Sequence, residues 1–227
     1  MITLKQFVEN VKNGVLSDYA PIEEMVDYNS FERPNDLLSS FRAREECTKR
    51  GMWAVVDKHW TKELAKWIGN RKCLEVMAGA GWLAKALDFY KVDIIATDDH
   101  LWKNGRHKEM KVVYPVEELD GLEAVKKYSD RDILIVSWPP YNEKAICSIC
   151  DKWGNGKPIV YIGEDYEGCC ATDLFFKNFK RSEEQPNIKI PQWWGLHDYL
   201  TIGYWNKVKA KVKRVDNAIK ELELEDA

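Results

Sequence analysis

The sequence predicts an α/β protein: a doubly wound, mainly parallel sheet of seven strands with an N-terminal helical extension. Three observations carry that expectation. Short apolar runs alternate with helical patterns from Lys72 to Phe179, which argues for parallel strands covered on both faces. A glycine turn, Gly79-Ala80-Gly81, stands between the first of these strands and the helix after it. The rhythm then breaks. Two late runs, 188–190 and 199–204, read as a hairpin at one edge of the sheet.

Each element follows from local pattern. Thr3 is placed to cap a first helix whose apolar face is Leu4, Phe7, Val8 and Val11, stopped by Asn13-Gly14. Residues 15–36 carry Asp18, Pro21, Asn29, Pro34 and Asn35 and read as a connector. Helical patterns follow around 37–42 and 59–68. Strands are expected over 72–77, 92–96, 112–114, 132–137 and 158–162. Helices are expected near 83–87, 119–128, 143–153 and 173–179. The chain divides into a helical extension over 1–50, a core over 51–205, and a C-terminal helix with an acidic tail over 206–227. In that last stretch Val208, Val212, Val215, Ile219 and Leu222 form one stripe beside a cluster of Lys and Arg. The cluster is read as the solvated face of a docked helix, with a basic arm for a polyanion as the other reading.

Composition narrows the function classes. Of 227 residues 45% are hydrophobic, enough for a sizeable core, so global disorder is excluded. No apolar run approaches the roughly 18 residues a membrane span needs. Lys and Arg number 34 against 37 Asp and Glu, which gives no strong nucleic-acid signature. Six cysteines include a CxxC, Cys147–Cys150, and a vicinal pair, Cys169-Cys170. Four such thiols can hold zinc. The first pair falls in a helical pattern and the second lacks CxxC spacing, so buried free thiols and no metal are expected. With an opening segment unlike a signal peptide, the thiols predict a cytoplasmic protein. Ten tryptophans are an unusual supply of the largest side chain.

The chemistry concentrates at two strand ends. After the first strand, glycines at 79 and 81 permit a tight turn, and the following helix offers free N–H groups. Asp98, with Asp99 beside it, ends the second strand 17 positions after Gly81, near the spacing at which an acid takes ribose hydroxyls in dinucleotide folds. Glu75 stands four positions before Gly79. The fourth strand ends Ser137-Trp138-Pro139-Pro140-Tyr141.

Glu75-x-x-x-Gly79-x-Gly81 resembles motif I of class I S-adenosylmethionine-dependent methyltransferases. The resemblance implies S-adenosylmethionine as cofactor. It puts Glu75 at the methionine amino end, Ala78, Gly79 and Gly81 beneath the cofactor, and Asp98 on the ribose. Ser137-Trp138-Pro139-Pro140-Tyr141 is similar to the motif of family members that methylate nitrogen. There an Asp, Asn or Ser precedes two prolines and an aromatic residue, and accepts hydrogen bonds from the target amine. Here Trp138 holds that place, and an indole N–H only donates. Ser137 is one residue early, is expected on the other side of the strand from that place, and is counted with Trp53 and Asp99 among the cofactor-binding candidates. Trp138 is left to stack on a substrate or cap the cofactor.

Other candidates are weaker. Glu164 and Asp165, after the fifth strand, read as holding a cationic substrate or as solvating a loop. His197 beside Asp198 reads as a general base or as a turn histidine. Trp53 reads as a lid over the cofactor or as core. The expected activity is methyl transfer to a nitrogen of an unidentified substrate, whether small molecule, protein or nucleic acid. The rivals are a non-catalytic nucleoside-binding module and a nicotinamide-dependent oxidoreductase.

Overall fold

Strands form where the apolar runs stand, because a parallel sheet buries both faces of each strand. A computed structural model describes residues 2–21, 36–105, 107–108 and 110–207. Its strands are β1 (Cys73–Val76), β2 (Ile94–Asp98), β3 (Val116–Glu118), β4 (Ile133–Ser137), β5 (Pro158–Gly163), β6 (Phe179–Arg181) and β7 (Tyr199–Trp205). They make one sheet in the order β3-β2-β1-β4-β5-β7-β6, with β7 antiparallel to both neighbours and the other pairings parallel. The helices are α1 (Leu4–Lys12), α2 (Leu37–Lys49), α3 (Lys58–Ile68), α4 (Trp82–Phe89), α5 (Gly121–Lys127), α6 (Ala145–Trp153) and α7 (Asp173–Asn178). The doubly wound, mainly parallel seven-stranded sheet is therefore the observed architecture.

Alternation along the strands builds two cores. Cys73, Ile133, Ile135, Val160 and Ile162 face one side, packed with buried residues of α1 to α4. Leu74, Val76, Leu134, Val136, Ile159 and Tyr161 face the other, covered by α5, α6 and α7. Glu75 and Ser137 fall in the first register, on the face toward α4.

The N-terminal helices dock through polar ties as well as apolar ones. Thr3 and Gln6 form a reciprocal capping box, and Leu4, Phe7 and Val11 are buried. Asp57 accepts the Ala20 N–H at 2.8 Å and caps α3 through Trp60 N–H at 3.1 Å. Lys85 Nζ on α4 reaches the Gly14 carbonyl at 2.6 Å.

Two sequence expectations change. The third strand lies at 116–118, not 112–114. Val113 N–H is instead spent on the Ala80 carbonyl at 2.8 Å, next to the glycine turn, and pairing with β2 begins only after Pro115. The edge partner of β7 is β6, not 188–190. Pro186 and Pro191 flank that run and offer no N–H to a ladder; Ile190 is buried in the first core instead. At the C-terminal end, Asn206 and Lys207 follow β7 without helix. The rest of the expected helix and its tail lies outside the described residues.

The thiols are free, and Cys47, Cys73, Cys147, Cys150 and Cys170 are buried. Burial pushes the Cys170 thiol up to about 12. Among the described residues no group of His, Cys, Asp or Glu is placed to hold a metal ion.

Gly203 makes the edge pairing possible. A Cβ there would sit 2.6 Å from the Lys180 carbonyl oxygen and 2.6 Å from the Phe179 ring. Gly203→Ala is expected to cost about 1–3 kcal/mol, the usual range for overpacking. Urea denaturation checks this; an unchanged midpoint would show that β6 yields freely.

Candidate functional site

A cavity of about 580 Å³ opens at the carboxyl ends of β1, β2 and β4. Sheet order reverses between β1 and β4, and such a switch point leaves a crevice that loops cannot fill. Glu75, Ala78, Gly79, Asp98 and Asp99 line one side; Ser137, Trp138, Pro139, Pro140 and Tyr141 line another; Trp53 closes over them. Eleven sequence candidates therefore meet in one place. Gly81, Glu164 and His197 do not line it.

The two glycines have separate jobs. Both are left-handed, with φ +55° at Gly79 and +80° at Gly81. A Cβ on Gly79 would meet nothing within 4 Å, so that side opens toward the cavity. A Cβ on Gly81 would lie 2.8 Å from Val116 Cγ2 and 3.1 Å from Tyr114 Cβ. Gly81 thus lets the start of α4 pack on the segment before β3, and its place among cofactor-contacting residues is not supported by this geometry.

Asp98 is also more structural than expected. One carboxylate oxygen accepts the Gly79 N–H at 2.8 Å. The other accepts His100 N–H at 2.8 Å and the Trp102 indole at 3.0 Å. Asp98 lines the cavity but is 8% exposed, while the neighbouring Asp99 is exposed on the same lining. Asp99 is the freer carboxylate for a ligand hydroxyl.

Glu75 is 2% exposed, and its Oε2 has no hydrogen-bond partner. Burial raises its pKa to about 8; the Ala84 backbone N–H opposes the rise and the nearby Asp98 charge adds to it. A buried carboxylate with an orphaned oxygen at a cavity wall is unusual, because such a group is normally paired. It fits a ligand that brings a cationic N–H donor, and Gly79 beside it leaves the backbone bare for close approach.

At the end of β4 the chain turns sharply. Trp138 adopts φ +51°, a conformation uncommon for a non-glycine residue. Its N–H donates to the Ile162 carbonyl at 2.8 Å, and its indole donates to Asp198 Oδ1 at 2.7 Å. The ring is stacked with Trp53, centroids 5.8 Å apart and planes 24° from parallel. Ser137 lines the cavity despite its early position, because it shares the face of Glu75 and Ile135. Tyr141 is 71% exposed at the rim.

Asp198 was legible only as the neighbour of His197, yet its partner is Trp138. It is 2% exposed, its Oδ2 has no partner, and burial raises its pKa to about 7, with the indole bond opposing. Glu164 accepts N–H groups of Cys169 at 2.8 Å and His197 at 3.2 Å, which braces the approach to β7. His197 Nδ1 lies 3.9 Å from Glu164 Oε1. These two serve that loop, not the cavity.

No family model matches the chain, and no curated protein matches it. Solved structures do. A mutant of MtNAS in complex with S-adenosylmethionine covers 90% of this chain and 97% of its own, at 12% identity and a TM-score of 0.47. The 1,6-didemethyltoxoflavin-N1-methyltransferase of Burkholderia thailandensis covers 81% and 94%, at 12% identity and 0.43. TehB from Haemophilus influenzae covers 65% of this chain at 12% identity and a TM-score of 0.39, and this chain spans 61% of its length. At these values the residues around the cavity, not the neighbours, decide what the chain can bind.

The glycines give a direct contrast. Gly81→Ala is expected to lower thermal stability more than Gly79→Ala, because it adds a clash to the shared backbone strain. Melting temperatures of the two variants check this, and equal losses would remove the distinction between them.

Proposed function

We propose that this chain is an S-adenosylmethionine-dependent methyltransferase acting on a nitrogen nucleophile. The observation that carries it is the acidic lining of the cavity. Glu75, Asp98, Asp99, Asp120 and Glu143 all line it, with no Lys or Arg among the described lining residues. Such a lining suits a ligand with cationic groups and repels a pyrophosphate. This weighs against the nicotinamide rival. Low-identity structural neighbours bound to S-adenosylmethionine or its product are consistent with this reading but do not carry it.

In this reading Glu75 accepts from the ligand's ammonium, the bare backbone at Gly79 admits close contact, and Asp99 takes ribose hydroxyls. Asp98 keeps the turn in shape. When bound, the cofactor supplies a methyl group made electrophilic by a positively charged sulfur. The protein's part is positioning and exclusion of water. Ser137 offers a hydroxyl to orient an incoming amine. Pro139 and Pro140 present no N–H that would compete for its lone pair. The Trp138 and Trp53 faces tolerate positive charge. A neutral amine needs no base before it attacks, so a histidine in the cavity wall is not required.

Glu75 makes binding pH-dependent. With its pKa near 8 it is mostly protonated at pH 7 in the free protein, and pairing with an ammonium requires it to ionise. Binding of S-adenosylhomocysteine should release about one proton at pH 7 and weaken about tenfold per unit as pH falls below 8. Calorimetry in buffers of different ionisation enthalpy measures both. Glu75→Gln should abolish the proton release. No binding by the native chain, or unchanged binding by Asp98→Ala combined with Gly79→Trp, would sink the assignment.

A further inference from the structure

The Trp138 indole is fixed more firmly than a surface wall needs. Its N–H is held at 2.7 Å by a carboxylate buried in the adjoining loop, and its backbone N–H is held by β5. The left-handed φ means the ring's position is imposed by these contacts against a local cost. Trp53, which covers it, is differently built. It stands two residues after Gly51, whose φ of +77° and close packing against Ala80 and Met110 set the start of the segment. Its neighbours are rings, the Trp138 indole and His107 edge-on at 5.3 Å. One indole is anchored and the other is stacked on it.

We propose that Trp138 is the stacking shelf for a flat substrate that carries its positive charge in the ring and keeps a neutral amine for the attack, that Trp53 occupies that face until the substrate arrives, and that Asp198 is the positioning residue that holds the shelf. This rests on the methyltransferase reading and names its substrate class. Flatness follows from the indole face. A ring laid between the two indoles would need them about 7 Å apart at ordinary carbon contact distances, more than the 5.8 Å between their centroids, so Trp53 must move. Positive charge follows from Glu143 and Asp120 on the same lining and from the attraction of a cation to an indole face. Asp198 acts through the indole N–H and does not line the cavity itself. The charged groups that bear on it are Glu164 and Arg44.

The test uses the full chain labelled with ¹⁵N at the tryptophan indoles, with the Trp53 and Trp138 signals assigned from Trp53→Phe and Trp138→Phe. The probes are aminoquinoline and aminoacridine, with cyclohexylamine as a non-planar cation, each added to protein saturated with S-adenosylhomocysteine. Both flat amines should shift the two indole signals, and cyclohexylamine should not. Asp198→Leu should weaken flat-amine binding at least tenfold while changing the affinity for S-adenosylhomocysteine less than threefold. Asp198→Asn keeps an acceptor for the indole and should retain most of the binding. Flat amines that leave Trp138 unmoved, or a cyclohexylamine response equal to theirs, would overturn the substrate class. Asp198→Leu binding like the native chain, or Asp198→Asn failing as badly as Asp198→Leu, would overturn the positioning role. Failure of S-adenosylhomocysteine itself to bind is a different result and counts against the methyltransferase reading.

Discussion

The cavity keeps its shape because one carboxylate satisfies three donors. Asp98 gathers the Gly79 N–H, the His100 N–H and the Trp102 indole. The first belongs to the turn after β1, and the other two to the segment after β2. A carboxylate has lone pairs for all of them, and charge-assisted bonds are stronger than neutral ones. The same turn is held as well by Ala78 N–H on the Thr97 carbonyl at 3.0 Å and Val113 N–H on the Ala80 carbonyl at 2.8 Å. The position of the turn sets the start of α4, and α4 in turn anchors the N-terminal segment through Lys85 and through the Trp82 indole, which donates to the Arg50 carbonyl at 2.8 Å. Arg50 precedes Gly51 and the segment carrying Trp53. The placement of the segment that carries Trp53 thus depends on the turn that Asp98 helps to hold.

A second regularity sits at the same edge. Met77, His100 and Trp138 all have positive φ, at 56°, 55° and 51°, and each follows closely on the end of β1, β2 or β4. Side chains other than glycine pay for that conformation, roughly 1–2 kcal/mol each. Concentration at three strand ends around one cavity is what a site with imposed geometry looks like. At Trp138 the compensation is visible in the two hydrogen bonds that hold it. At Met77 the chain must turn at once from β1 into the glycine segment.

Much of this was legible in the sequence, and the limits are physical. Four of the five parallel strands announced themselves because burial on both faces demands continuous apolar runs, while β3, with two glutamates in three residues and no buried position, gave no such signal. The glycine turn and its acids were legible because backbone conformation and charge are residue properties. What a carboxylate does is not. Asp98 reads as a ligand contact and is mainly a brace; Asp198 reads as a partner for His197 and holds Trp138, 60 positions away. Such pairings depend on which strands become neighbours. The register of Ser137 needed the sheet as well, because a face is defined by where β4 lies against β1. The edge strand was missed for a related reason: β6 is three residues long, and its pairing rests on the absence of a side chain at Gly203.

The tryptophans and the acids are best understood together. Glu75 and Asp198 are each buried with one oxygen unpartnered, and both have pKa values raised by that burial. Each can be relieved by a proton or by a cationic donor, and the two compete for the same oxygen. A wall of Lys or Arg would end the competition by pairing the acids permanently. Indoles do not. They exclude water, which sharpens the electrostatics, and their faces accept a cation without neutralising a carboxylate. At Trp138 the indole does one thing more, since its N–H takes one oxygen of Asp198 at the ring edge while the ring face meets Trp53. Trp53, Trp82, Trp102 and Trp138 all line this cavity. Four large apolar faces beside Glu75 keep that acid available for a positively charged guest.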